Sequence, residues 1–303
     1  MTIYAGSEMM GNYFSATYFS ILLTFISLPI STVLFPTFSK LNAEREPWLV
    51  RMVFASSVKY TSILLVPATM ALIALSTPLI GTLFPKNGIL SSLFVSATPL
   101  KFPYAPMFLT ILAIINLLVL FGNISLGTFQ TGIGKTNQVM KQGLVSLVIG
   151  LPLAWFMVPY FSSIGGASFA VVGGILGTLI AVIPSTAWGL YWCWKHYRVK
   201  ADFGVSAKIF LASLIASIIS YLFVAFTVLP YIVLLVGGFI IFVVVYVVAA
   251  PLLGAINSSD IENFKSMFSS LGFISRIFRI PLIFMEKMCS FKGKKGTQQP
   301  VEN

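Results

Sequence analysis

Seven long apolar segments constrain what this chain can fold into more than any other feature of its sequence. Each is long enough for an α-helix that crosses the hydrocarbon core of a bilayer, which takes about 20 residues. The segments cover residues 13–38, 53–75, 107–131, 143–161, 165–194, 209–229 and 231–256, and the second could extend to residue 84. All eight acidic residues lie outside these segments. The pattern predicts an all-α fold, a polytopic bundle of about seven transmembrane helices.

The composition excludes an ordinary soluble domain. Hydrophobic residues make up 57% of the chain and charged residues only 9%, against about 25% charged in soluble domains. The net charge of +11 would favour nucleic-acid binding in a soluble protein. Here the basic residues lie in loops between apolar segments and in the tail, which is typical of loops that face an anionic inner leaflet. We therefore expect membrane lipids as partners and no nucleic acid.

Lysine and arginine in the loops set the orientation of a membrane protein. With the N-terminus outside, every basic residue falls on the cytoplasmic side except Lys59, Lys86 and Lys101. The sequence thus predicts an extracellular N-terminal loop at 1–12, a seven-helix transmembrane lobe at 13–256 and a cytoplasmic C-terminus. These features predict a multi-pass protein of the cytoplasmic membrane.

The region after the last apolar segment is amphipathic. In residues 257–290, apolar side chains repeat every three or four positions with basic residues between them, which predicts an amphipathic cytoplasmic helix. It could lie on the inner leaflet or cover the cytoplasmic face of the bundle. Residues 291–303 are polar and basic, and we expect a disordered tail.

Lys59 is the one ionisable residue well inside a predicted span. Such residues usually face a cavity or a partner, so Lys59 is a candidate for contact with an anionic substrate, such as a lipid-linked phosphate. Alternatively its side chain reaches back to the headgroups, because Arg51 lies only about 12 Å away along a helix.

Three amides follow one another at intervals of seven in the third span, at Asn116, Asn123 and Gln130. That spacing keeps them near one face of a straight helix. They could line a hydrophilic substrate cavity and bind sugar hydroxyls, or they could form hydrogen bonds between helices.

Small residues and prolines predict how the helices pack and bend. Stripes of small residues let helices approach closely, or they could provide a sliding surface. The fifth span carries them at Gly166, Ala170, Gly173, Gly174 and Gly177. Pro36 and Pro67 each remove a backbone donor from a span and are predicted to bend it.

The sequence favours no enzyme, cofactor or metal site. The chain has one histidine, His196, and it lies among aromatic residues that indicate a membrane-interface belt. Without a second histidine or clustered carboxylates, a metal centre is not supported. The stretch TGIGKT at 131–136 resembles a phosphate-binding loop, but that pattern needs glycine where Phe129 stands.

Four stretches resemble one family of membrane transporters. They are GNYFSATYFSILLTFISLPISTVLFPTFSKL at 11–41, SSVKYTSILLVPATMALIALSTPLIGTLF at 56–84, LGTFQTGIGKTNQVMK at 126–141 and VPYFSSIGGASFA at 158–170. Together they resemble the O-antigen-type flippases in the polysaccharide-biosynthesis branch of the multidrug/oligosaccharidyl-lipid/polysaccharide exporter superfamily, relatives of the lipid II flippase. The first stretch is similar to the eighth helix of that family.

The resemblance implies fourteen helices in two lobes, of which this chain supplies helices eight to fourteen. It implies a flippase component that moves lipid-linked oligosaccharide or polysaccharide precursors across the cytoplasmic membrane. Because the cavity of such transporters lies between two lobes, the implied partners are the lipid-linked glycan and a missing N-terminal lobe or second copy. The alternatives are a cation-coupled multidrug-type exporter and a non-transporting assembly subunit of a polysaccharide pathway.

Overall fold

The computed structural model describes residues 2–41, 45–86, 99–257 and 260–262. Its helices are α1 (Thr2–Lys40), α2 (Pro47–Ala74), α3 (Ser76–Leu83), α4 (Ala105–Asn116), α5 (Asn123–Gly132), α6 (Thr136–Tyr197), α7 (Phe203–Phe226) and α8 (Tyr231–Leu252). A 3-10 helix at Leu117–Phe121 connects α4 to α5. Within the described residues, β-pairing is limited to one isolated bridge between Pro85 and Leu100. The structure confirms an all-α polytopic bundle.

Helix length and hydropathy identify the membrane spans. In the part of the chain that the structure describes, five helices are long and apolar enough to cross a membrane, namely α1, α2, α6, α7 and α8. Helices α4 and α5 together form a sixth candidate, which is bent by 56°. Helix α6 has 62 residues, or about 93 Å of helix at 1.5 Å per residue. The hydrocarbon core is about 30 Å thick, so α6 is too long for a single crossing.

Helix α6 folds back on itself at Gly165 and Gly166. Both have non-helical backbone angles, and Gly166 has φ 72° and ψ −154°. The Ser185 hydroxyl donates to the Gln142 carbonyl oxygen over 2.7 Å, which places the two arms (136–164 and 167–197) side by side and antiparallel. Each arm is long enough to cross the bilayer, so the described residues contain seven crossings when the bent pair α4–α5 is counted as one.

The predicted third span is broken rather than straight. Gly122 has a left-handed backbone with φ 86°, and the chain on either side of it turns by 56°. Glycine adopts this conformation without steric cost. Residues placed seven apart across this break do not share one helix face.

Helix α1 begins earlier than the predicted first span. It already starts at Thr2, with a break at Gly6, where φ is 68° and ψ is 174°, whereas the sequence predicted a loop up to residue 12. Asn12 is fully buried, and its Oδ1 accepts hydrogen bonds from the Tyr104 and Ala105 backbone N–H groups at 2.9 and 3.2 Å. These N–H groups belong to the first turn of α4, which has no side-chain cap of its own. Asn12 therefore caps α4 from a neighbouring helix, in the manner of an N-cap residue.

Three apolar clusters form the interior. The first joins α2, α7 and α8 with Ala255, Ile256 and Ile261, and the second joins α1, α3 and α4 with the second arm of α6. The third lies where α1 ends, and Phe129 is its centre. The Phe129 ring packs edge-on against Phe38, Phe54 and Tyr197, with centroid distances of 5.3, 5.7 and 5.5 Å. The residue that breaks the phosphate-loop pattern is thus a core aromatic.

The predicted boundaries of the C-terminal region are largely outside the described residues. Only 257 and 260–262 of the predicted amphipathic helix are described, and 260–262 are helical. The predicted tail at 291–303 lies wholly outside.

We expect Gly166→Ala to destabilise the fold by about 1–3 kcal/mol, because its backbone lies in a region that is essentially confined to glycine. The measurement is thermal unfolding of the purified chain in detergent. Gly143→Ala is the matched control, since a Cβ meets no atom within 4 Å at either position and Gly143 lies within regular helix. Equal unfolding temperatures for the two variants would contradict the turn at Gly165 and Gly166.

Candidate functional site

Lys59 lies deep in α2 and is paired with a carboxylate. It is twelve positions after Pro47, where α2 begins, which corresponds to about 18 Å along the helix. Its Nζ donates to both carboxylate oxygens of Asp260, at 2.7 and 2.6 Å. The exposed fractions of the two side chains are 20% and 5%. Lys59 therefore points to a buried partner instead of reaching back to the headgroups.

Asp260 is held in place by its own backbone turn. The Asn257 backbone N–H donates to Asp260 Oδ2 over 2.8 Å, and the Asp260 N–H donates to the Asn257 carbonyl oxygen over 3.0 Å. The carboxylate that reaches back to the N–H three positions earlier is one half of a capping box at the start of a helix. Ile256 and Ile261, on either side, are buried in the first core cluster. The described residues after α8 are thus part of the bundle.

The apolar segments do not predict this partner. Asp260 lies outside all of them along the sequence, yet it contacts Lys59 in three dimensions. The one local signal is the spacing of Asn257 and Asp260, which matches a capping box and predicts a helix start close to the last span.

Asn123 and Gln130 both form hydrogen bonds between helices. Asn123 Oδ1 accepts from the Thr186 hydroxyl over 3.1 Å. Gln130 is fully buried; its Oε1 accepts from Gln142 Nε2 over 2.7 Å. Its Nε2 donates to Cys193 Sγ over 3.5 Å. These contacts join α5 to both arms of α6.

Asn116 does not share a face with the other two amides. It is the last residue of α4, on the far side of the bend at Gly122, and it is half-buried. The prediction of one continuous amide stripe is therefore wrong, because it assumed a straight helix.

The predicted small-residue stripe lies mostly within the hairpin of α6. Ala170, Gly173, Gly174 and Gly177 are buried in the second arm. A Cβ on Gly173 would be 2.6 Å from the Met157 carbonyl oxygen, so the arms approach as closely as small residues allow. Gly166 belongs to the turn and does not contribute to this contact.

The two prolines do not interrupt their helices. Helical backbone continues through Pro36 in α1 and Pro67 in α2, and the break after α2 comes later, at Leu75. Their predicted role in bending stays a prediction.

Hydroxyl groups add a polar row along α2. Ser62 Oγ donates to the Val119 carbonyl oxygen over 3.3 Å, and Thr61 Oγ1 lies 3.5 Å from Ser125 Oγ. On the other side of α2, the Tyr246 hydroxyl donates to the Ile63 carbonyl oxygen over 3.2 Å. Polar contacts thus connect α2 to the helices on both its sides, within about one turn of Lys59.

The described residues contain no cluster of three His, Cys, Asp or Glu side chains that could hold a metal ion. The arrangement offers buried hydrogen-bonding groups and the Lys59–Asp260 ion pair. The predicted absence of a cofactor stays a prediction.

A family model described as the lipid II flippase MurJ matches residues 4–98. The matched part is about a third of the chain and includes α1, α2 and α3, with Lys59 inside it. No curated protein and no solved structure matches the chain. The match supports a flippase of the multidrug/oligosaccharidyl-lipid/polysaccharide exporter superfamily. Together with its several apolar helices, it identifies the chain as a multi-pass protein of the cytoplasmic membrane.

We expect Lys59→Met and Asp260→Leu each to lower the free energy of unfolding by about 3 kcal/mol, because each leaves a buried charge without its partner. The double variant should lose much less than the sum of the two, since a buried pair can be replaced by apolar residues at little cost. Chemical unfolding in detergent measures the free energy of unfolding of the wild type, the two single variants and the double variant. Lys101→Met, at an exposed position, is the control. If the losses of the two single variants add up in the double variant, Lys59 and Asp260 do not depend on each other.

Proposed function

We propose that this chain is the membrane component of a flippase that moves lipid-linked oligosaccharide or polysaccharide precursors across the cytoplasmic membrane. The observation that carries the proposal is the match of residues 4–98 to the lipid II flippase family. This region is not peripheral, because α1 and α3 contribute to the second core cluster and α1 and α2 to the third.

The precise glycan is a finer proposal. The sequence resembles O-antigen-type flippases, whereas the matching family model is that of a lipid II flippase. Both descriptions name a flippase for a lipid-linked precursor, whose linkage we take to be a pyrophosphate between a polyisoprenyl chain and a sugar. We therefore propose this shared chemistry, a polyisoprenyl-pyrophosphate glycan, as the substrate class.

We further propose that a second lobe completes the substrate cavity, either a separate N-terminal lobe or a second copy of the chain. Helix α1 supports this proposal, because only 12% of its most apolar 18-residue stretch is buried inside the bundle, the lowest share among the candidate spans. The Phe14, Tyr18 and Phe25 side chains of α1 are exposed. This face is available to lipid or to another lobe.

Lys59 is our candidate for binding the substrate pyrophosphate. In the structure its ammonium is satisfied by Asp260, so a phosphate would have to take the place of that carboxylate. Both ligands are anionic oxygen acceptors, so the exchange keeps the Lys59 cation paired. Asp260 then loses its cation and keeps the hydrogen bond from the Asn257 N–H, and the free-energy cost of that unpaired carboxylate must be met by the substrate. Of the three amides, only Asn116 stays in this proposal, since Asn123 and Gln130 already bind neighbouring helices.

The transport proposal is tested with the full chain in proteoliposomes that contain a fluorescently labelled polyisoprenyl-pyrophosphate glycan. A membrane-impermeant reductant quenches only label in the outer leaflet. We expect vesicles with the chain to lose fluorescence beyond the outer-leaflet fraction, and empty vesicles to stop there. Equal quenching in both would contradict transport by the chain or by a pair of its own copies. It would leave two readings, a flippase that needs a separate N-terminal lobe and a non-transporting assembly subunit, which co-reconstitution with such a lobe would distinguish.

The role of Lys59 is tested by complementation of precursor export at matched membrane levels. We expect Lys59→Ala to abolish export and Lys59→Arg to retain part of it, because arginine keeps the charge but not the compact ammonium geometry. Asp260→Asn separates the two roles of the ion pair. It should preserve export if Lys59 serves the substrate, whereas equal loss in Lys59→Ala and Asp260→Asn would assign the pair to structure alone.

A further inference from the structure

A basic groove lies where α2 begins and α6 ends. Its volume is about 630 Å³, and its lining consists of Arg51, Met52, Ala55, Trp194, Arg198 and Lys200. Among these lining residues are three cations and no carboxylate. The distribution of basic residues predicts that this end of the bundle faces the cytoplasm. The groove is separate from the buried ion pair of Lys59.

The groove has a charged part and an apolar part at different depths along the helices. Ala55 lies one helical turn deeper in α2 than Arg51, and Trp194 lies one turn deeper in α6 than Arg198. The cations are therefore at the water end of the groove, and the apolar side chains lie towards the membrane. Tryptophan is typical of this interfacial depth.

Arg198 has a strained backbone. It is the one non-glycine residue with positive φ in the part of the chain that the structure describes, at φ 55°. It caps α6, since its N–H donates to the Trp194 carbonyl oxygen over 2.9 Å. Glycine is the usual residue at such a helix end, and an arginine there carries a steric cost. Strain of this kind is concentrated at functional positions.

The guanidinium groups are partly preorganised. Arg198 Cζ lies 5.1 Å from the centre of the Trp194 ring, which is a cation–π contact. Arg51 Nε donates to the Pro47 carbonyl oxygen over 3.2 Å. Val199 is buried in the third core cluster and fixes the loop that carries Arg198 and Lys200. Arg51 also lies near the positive end of the α2 dipole, an unfavourable position for a cation that a bound anion would offset.

We propose that this groove binds an anionic glycerophospholipid of the cytoplasmic leaflet. The headgroup phosphate contacts Arg51, Arg198 and Lys200, and the upper part of an acyl chain lies on Met52, Ala55 and Trp194. Arginine matches a phosphate in a bidentate manner. The apolar floor is what distinguishes a lipid from a free phosphate, which has no group to place there. This inference does not depend on the transport proposal.

Native mass spectrometry of the full chain in detergent tests the site, with phosphatidylglycerol and phosphatidylcholine as probes. We expect phosphatidylglycerol to bind more tightly than phosphatidylcholine. Arg198→Gly and Lys200→Gln should each weaken phosphatidylglycerol binding about fivefold, as expected for the loss of one cation near an anionic headgroup. Lys141→Gln, which removes an exposed charge outside the groove, should leave it unchanged.

Arg198→Gly also separates binding from folding. Glycine relieves the positive-φ strain, so this variant should unfold at the same temperature as the wild type or higher while it loses lipid. If Arg198→Gly unfolds at a lower temperature than the wild type, its loss of lipid is not used, and the phosphatidylglycerol affinity of Lys200→Gln decides whether the groove binds this lipid. Wild-type phosphatidylglycerol binding in Lys200→Gln, equal binding of the two lipids, or full displacement by inorganic phosphate would each overturn the proposal.

Discussion

The lack of hydrogen-bonding partners in the lipid governs the structure more than any single contact. Backbone and side-chain polar groups in the hydrocarbon region must be satisfied within the protein. Asn12 meets this demand for the first turn of α4, which has no cap of its own. Several hydroxyls, among them Thr17 and Ser213, donate to the carbonyl oxygen four residues earlier in their own helix. Asn123 and Gln130 instead form hydrogen bonds that join α5 to the two arms of α6.

The Lys59–Asp260 pair extends the same constraint to charge. A cation within a bundle requires a carboxylate, and the chain supplies it from the segment after α8. Ile256 and Ile261 of that segment are buried in the core. The ion pair therefore connects α2, near the start of the chain, to the residues that follow α8. An ion pair of this kind can both stabilise the bundle and be exchanged for an anionic ligand. This dual character makes it the centre of our functional proposal.

The sequence predicts those features that depend on one segment at a time. The seven crossings follow from apolar length, and the α6 hairpin lies at the predicted boundary between the fourth and fifth spans. Features that depend on two distant segments were not predictable. The bend after Asn116 arises from one glycine, Gly122, within an apolar run. The partner of Lys59 is Asp260, which lies after residue 256, where the predicted membrane lobe ends.

The separation of Lys59 and Asp260 along the chain has a consequence for biosynthesis. They are 201 residues apart, and at an elongation rate of about 5–20 residues per second roughly 10–40 s pass between their syntheses. During that interval α2 holds a cation without its final partner. The bundle therefore reaches its full stability only after nearly all of its helices have been made. In a nascent chain that stops before Asp260, the Lys59 ammonium lacks this carboxylate. Incomplete and finished molecules therefore differ in the charge state of the bundle interior.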